Sequence, residues 1–145
     1  MKALIQRVSE AQVEVNGEVT GKIGPGILTL IGFGPGDEES KIVPLRDKIL
    51  NLRIFPNDEG KFDKSLVDIR GGLLLVSQFT LYGNCDKGRR PDFTKALHPK
   101  EAEPLYDKFV KASREVHEQV ETGIFGAMMN VTLVNDGPVT LMIEV

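Results

Sequence analysis

Apolar residues recur along this chain with two periods, and the switches between them outline its elements. Lys2–Val8 is short and rich in β-formers, and Ala11–Val15 alternates, with Val13 and Val15 on one face. Asn16-Gly17 follows as a strong hairpin signal. A two-residue loop would set Val13 opposite Thr20. A three-residue Val15-Asn16-Gly17 loop, with Gly17 left-handed, sets Val13 opposite Val19 and keeps the apolar faces aligned, so this register is the expected one. Gly24-Pro25-Gly26 makes a turn into Ile27–Phe33, a continuous apolar run that reads as a central strand, and Gly34-Pro35-Gly36-Asp37 ends it.

The period then changes. Ile42, Leu45, Ile49 and Leu52 predict a helix over Glu38–Leu52, with Pro44 in its first two turns, where proline does least harm. A short strand at Arg53–Phe55 and a turn at Pro56–Gly60 follow. Gly71-Gly72 opens the most apolar strand, Leu73–Thr80. Tyr82–Pro99 is a polar loop of a length usually reserved for function or motion. Lys100–Glu121 is the longest predicted helix, with Ala102, Leu105, Phe109, Ala112, Val116 and Val120 as its buried stripe and Gly123 as its stop. Strands at Met129–Val134 and Val139–Val145, joined by Asn135-Asp136-Gly137-Pro138, close the chain. Hairpins with two interspersed helices predict one α/β domain over residues 1–145, its sheet mixed, mainly antiparallel and curved like a barrel.

Composition narrows the chemistry. At 145 residues the chain can build a core without staples. Cys85 is the single cysteine, which excludes a disulfide framework or a cysteine metal site within one chain and fits a reducing compartment. Residues 1–8 carry Lys2 and Arg7 and lack the apolar run of a signal peptide. No stretch approaches the roughly 20 apolar residues of a membrane span. A cytoplasmic protein with no membrane partner is therefore expected. A net charge of −3 argues against coating nucleic acid through bulk charge, while leaving room for local contact with one RNA end.

The usual nucleophile arrangements are missing. There is no G-x-S-x-G elbow, and the two histidines, His98 in the loop and His117 on the flank of the long helix, have no metal-ligand spacing. Cys85 has no placed base. The glycine-rich pieces match neither a P-loop nor a dinucleotide fingerprint. Two segments remain unusual. Ser77-Gln78-Phe79-Thr80 puts polar side chains at the end of a buried strand; they either bond to neighbouring backbone or face a pocket. Asn135-Asp136-Gly137-Pro138-Val139-Thr140 is either a plain turn or something more, since proline is awkward where a strand needs its N–H.

Together these segments, Ser77-Gln78-Phe79-Thr80-Leu81 and Asn135 to Thr140, resemble the two signature motifs of the D-aminoacyl-tRNA deacylase family, also called D-tyrosyl-tRNA deacylases. The resemblance spans the chain: Ala3–Val8, Gly21–Gly24, Arg53-Ile54-Phe55 and Arg90-Pro91 stand in the family's order. It implies hydrolysis of the ester that joins a D-amino acid, or glycine on the wrong tRNA, to the terminal adenosine of tRNA. It implies a homodimer with active sites at the subunit interface, no metal and no organic cofactor. Ser77, Gln78, Phe79 and Thr80 would form the catalytic floor. Gly137 and Pro138 of the partner subunit, joined by a cis peptide, would close the pocket and turn away L-residues. Phe125 and Met129 would pack against the adenine, and Arg7 would hold the Gly-Pro loop through its carbonyls.

The substrate is already an activated ester, so a placed water and oxyanion donors suffice. Backbone N–H groups around Phe79 and Thr80 are the expected donors. The Thr80 hydroxyl would position water or substrate, with a direct nucleophilic role the weaker reading. The neighbouring ribose 2′-hydroxyl could assist, which would make catalysis partly the RNA's own. Lys87, Arg89 and Arg90, with Lys95 and Lys100, either face solvent or meet tRNA phosphates. Two other classes compete: a module that binds nucleic-acid ends without hydrolysis, and a small-molecule esterase, which the lack of a Ser-His-Asp arrangement disfavours.

Overall fold

Fourteen consecutive residues, Lys2–Val15, form the strand around which the sheet is laid (β1). A computed structural model describes residues Met1–Val145. On one edge β1 pairs first with β3 (Gly26–Gly32) and further along with β2 (Glu18–Ile23); its other edge takes the last strand of the chain. All three pairings are antiparallel. The short β4 (Phe55–Pro56) and β5 (Phe62–Lys64) make a separate hairpin. Beyond β3 the sheet turns parallel, through β6 (Gly72–Ser77) and β7 (Val120–Thr122). The final strand, β8, runs Asn130–Glu144.

The sheet nearly closes on itself. The Thr20 hydroxyl of β2 donates to the Thr122 carbonyl of β7 at 3.3 Å. Gly21 permits that approach, because a Cβ there would stand 2.6 Å from the same carbonyl oxygen. Helix α1 (Ile42–Asn51), the short α2 (Leu66–Ile69) and α3 (Pro99–Val116) accompany it. Successive residues of β3 and β6 point to opposite faces. Ile27, Ile31, Leu73 and Leu75 join Leu45, Ile49 and Phe109 of α1 and α3 in the larger core, while Leu28, Leu74 and Val76 join Val13 and Ile23 in a second one. Burial on both faces explains why these strands read as unbroken apolar runs. Each such side chain contributes about 1.5–3 kcal/mol.

The fold departs from the sequence reading at several boundaries. Asn16 and Gly17 form a two-residue turn, both at positive φ (51° and 80°), with Val15 opposite Glu18. A bulge between Val13 and Glu14 then absorbs one residue, so Val13 faces Gly21 instead of Val19. The long helix stops at Val116. His117 leaves its path, buried, with Nε2 2.7 Å from the Gly71 carbonyl, and Val120 belongs to β7. Its buried face runs through Ala102, Tyr106, Phe109, Val110 and Ser113, leaving Val116 exposed. Glu39–Lys41 is a 3-10 turn preceding α1. The apolar periodicity predicts neither β5 nor α2, although Ser65 and Asp68 make a complete capping box. The two closing strands are one, its pairing with β1 irregular around Val8.

Candidate functional site

The apolar run of β6 ends at Ser77, and the chain turns at Gln78 (φ −146°, ψ 80°) into a 3-10 turn, Phe79–Tyr82. Gln78, Phe79 and Thr80 are therefore past the strand in which their sequence placed them. The Gln78 N–H still reaches the Ile31 carbonyl of β3 at 2.7 Å. The turn's first hydrogen bond runs from the Leu81 N–H to the Gln78 carbonyl. The N–H groups of Phe79 and Thr80 thus head the turn with no partner inside it, as at any helix start. The Gln78 amide donates to the Thr80 hydroxyl, and Phe79 and Thr80 are exposed.

The long loop is tied down beside this turn. Asn84 and Asp92 exchange backbone hydrogen bonds at 2.7 and 2.9 Å, and the Leu97 N–H donates to the Phe33 carbonyl. The tie sets Phe93 edge-on to Phe79, ring centroids 5.2 Å apart. Lys87, Arg89 and Arg90 stand exposed at the loop's tip.

Just before the turn, the Leu75 carbonyl accepts from both the Tyr106 hydroxyl (2.9 Å) and the Gly123 N–H (3.1 Å). Burial, with the nearby Asp107 charge, pushes the Tyr106 hydroxyl up to about 12, so it remains a donor. These bonds frame an open cleft of about 690 Å³ between α3 and the segment after β7, lined by Tyr106, Val110, Lys111, Arg114 and Phe125 among others. Phe125 packs on Tyr106 at 5.9 Å. Met129 is placed differently: it packs against the second core beneath Gly123 and does not line the cleft.

The second motif lies within β8. The Gly137–Pro138 peptide is cis, and both residues are exposed. Arg7 is buried beneath them. Its Nε donates to the Asp136 carbonyl at 2.8 Å, one Nη donates to the Ile54 carbonyl at 2.6 Å, and the guanidinium lies over the Phe62 ring. The Asn135 amide donates to the carbonyls of Arg7 and Val139, both at 3.0 Å. Sequence reasoning gave Arg7 its role but assigned none to Asn135, Ile54 or Phe93, whose roles depend on pairings between distant segments.

Strand register fixes the distance between the motifs. Arg7 faces Ile27, whereas Ser77 faces Ile31, which faces Ala3. The Gly-Pro loop is therefore four residues along β1, roughly 13 Å, from the level of Ser77, and three strand spacings, roughly 14 Å, across the sheet. Within one protomer no hydrogen bond or strand pairing joins the two motifs.

A model of the family described as D-Tyr-tRNA(Tyr) deacylase matches residues 4–144. Proteins named D-aminoacyl-tRNA deacylase from Thermosipho africanus and Brevibacillus brevis are each 54% identical over 99% of this chain, covering 97% and 99% of their own lengths. The one from Ectopseudomonas mendocina is 52% identical over the full length of both. Among solved structures, one described as c-Myc DNA Unwinding Element Binding Protein superposes with a TM-score of 0.94 at 41% identity, covering 100% of this chain and 99% of its own. A probable eukaryotic D-amino acid tRNA deacylase shares the fold, with a TM-score of 0.84 at 19% identity, covering 99% of this chain and 98% of its own. A hydrolytic enzyme class is what these relatives define, and the chain belongs to the D-aminoacyl-tRNA deacylase family. No helix is long and apolar enough to cross a membrane.

Proposed function

We propose that this chain hydrolyses the ester of D-aminoacyl-tRNA as a homodimer, each site combining the Ser77–Thr80 segment of one protomer with Gly137-Pro138 of the other. The separation of the two motifs carries the reading: a substrate touching both needs two copies of the chain. β8 supports it. It is an edge strand of 15 residues paired on one side only, with Val134, Leu141 and Met142 exposed, and unprotected edges of that kind invite a partner.

The ester carbonyl would sit at the head of the 3-10 turn, where the Phe79 and Thr80 N–H groups stabilise the oxyanion. Water attacks, and the Thr80 hydroxyl orients it. The neighbour of Thr80 Oγ1 is the Gln78 carboxamide, which is no base, so nucleophilic attack by Thr80 has no proton acceptor beside it. The partner's Gly137-Pro138 backbone walls off the side where an L side chain would project, a steric rejection that works for any side chain. Glycine has nothing to project there, so glycyl-tRNA passes. Phe125 offers a ring to the terminal adenine, and Lys87, Arg89 and Arg90 reach toward phosphates. The acidic net charge of −3 disfavours general nucleic-acid binding as the main activity.

Release rates from paired D-, L- and glycyl-tRNA test this. Cleavage of the D- and glycyl-substrates with the L-substrate spared is expected. Tight binding of all three without release would make the protein an end-binding module. Release of the L-substrate at the same rate would remove the wall.

A further inference from the structure

Tyr82 closes the 3-10 turn that Phe79 and Thr80 open, and its surroundings are built to hold it. Its ring fills the space that a Cβ on Gly34 would need: that atom would lie 2.2 Å from the ring. Gly32 likewise leaves room for the Gln78 carbonyl, 2.8 Å from where its Cβ would be. The Lys2 ammonium lies over the Tyr82 ring at 4.9 Å. Below, the Tyr82 hydroxyl donates to Asp37 Oδ2 at 3.2 Å. That carboxylate is 3% exposed and accepts from the Gly34 N–H (2.8 Å), the Lys41 ammonium (2.9 Å) and the Met1 ammonium (2.6 Å).

We infer that Asp37 and Tyr82 are a positioning pair, fixing the turn so that the Phe79 and Thr80 N–H groups point where an oxyanion forms. The inference rests on that turn being the hydrolytic site. Asp37 is immobile because several donors from separate segments converge on it, and a buried carboxylate so satisfied has one arrangement. Burial raises its carboxyl, but the hydrogen bonds from Met1, Gly34 and Lys41 outweigh burial and hold it below its ordinary value. Burial and then the Asp37 charge drive the Tyr82 hydroxyl far above its ordinary range, so it stays protonated and donating. The ring therefore has a fixed seat and a fixed handle, and the turn hangs from it two residues away from Thr80. Misplacing a reacting geometry by about an ångström costs on the order of a hundredfold in rate.

Tyr82→Phe keeps the ring and removes the handle. With D-aminoacyl-tRNA, kcat should fall about tenfold while KM stays within about twofold, the pattern of a lost transition-state interaction. In ¹⁵N spectra the Phe79 and Thr80 amides should shift and those of Gly137 and Val139 should not. Asp37→Asn should change kcat and the same amides in the same direction, and Tyr82→Leu should lower kcat about a hundredfold. Unmoved Phe79 and Thr80 amides in Tyr82→Phe overturn the inference. So do moved amides with wild-type kcat, or a kcat loss matched by a general loss of thermal stability. If the wild-type protein releases nothing from D-aminoacyl-tRNA, the proposed function fails, and the amide shifts still decide whether the pair positions the turn.

Discussion

The two motifs are held in opposite ways. The Ser77–Thr80 segment ends a strand buried on both faces, and its own chain supplies everything that shapes it: the Ile31 carbonyl, the turn's hydrogen bonds and the Phe93 ring. The Gly137-Pro138 loop interrupts an edge strand and is gripped from below by Arg7 and Asn135, while the loop residues themselves face outward. The first arrangement presents N–H donors. The second presents a shaped wall with nothing of its own protomer in front of it. On the proposed function, chemistry and selection fall to separate parts, and each could be damaged alone.

The largest effect is expected where the donors themselves are removed. Phe79→Pro deletes one N–H at a helix-start position that tolerates proline. Relative to Phe79→Ala, which removes only the ring, it should lower kcat about 10²–10³-fold, the usual loss for one oxyanion donor. Equal rates for the two variants would place the oxyanion elsewhere.

Gly137→Ala attacks the other part. The new Cβ would stand 2.4 Å from Asn135 Oδ1, so the amide that holds the Arg7 and Val139 carbonyls must let go. The ratio of D- to L-aminoacyl-tRNA cleavage should fall about tenfold or more, with turnover of glycyl-tRNA less affected. An unchanged ratio would show that discrimination does not depend on this loop.

Thr80→Ala should be milder, keeping deacylation within about tenfold of wild type, because on the proposed mechanism the hydroxyl only orients and the backbone stabilises. Complete loss in a folded variant that still binds substrate would restore Thr80 as nucleophile.

Acid should separate the two parts most gently. The folded-state carboxyl of Asp37 lies below its ordinary 3.8, so it stabilises the protein above that pH and loses this as pH falls through the folded value. Protection against hydrogen exchange, relative to the intrinsic rate at each pH, should fall at Leu81 and Gly83 below about pH 4 before it falls at Val139. Simultaneous loss at both sites would mean that the turn has no local dependence on Asp37.

How much of this was legible in the sequence depended on whether the deciding contact was local. Asn16-Gly17 announced its hairpin, and the apolar runs announced β3 and β6. The register after the hairpin was not legible: the bulge at Val13/Glu14 leaves Thr20 without a register partner on β1, and its hydroxyl bonds to Thr122, about a hundred residues away. Helical spacing carried the reading past Val116 because Val120 reaches the same core from a strand. Arg7 was placed at the Gly-Pro loop only by the resemblance, and the pairing of β1 with β8 supplies the physical reason that it lies under that loop. The two motifs were visible as words, while their distance from one another was written only in strand register.

If each site is shared between two protomers as proposed, that distance has a genetic consequence. Take a protomer crippled in its turn and another crippled in its loop, each inactive as a pure preparation. A mixed dimer then carries both lesions in one site and none in the other. Refolding equal amounts together should restore about a quarter of wild-type activity, since half of randomly paired dimers are mixed and each has one sound site of two. Two alleles of this gene, each silent alone, would cover for one another in the same cell.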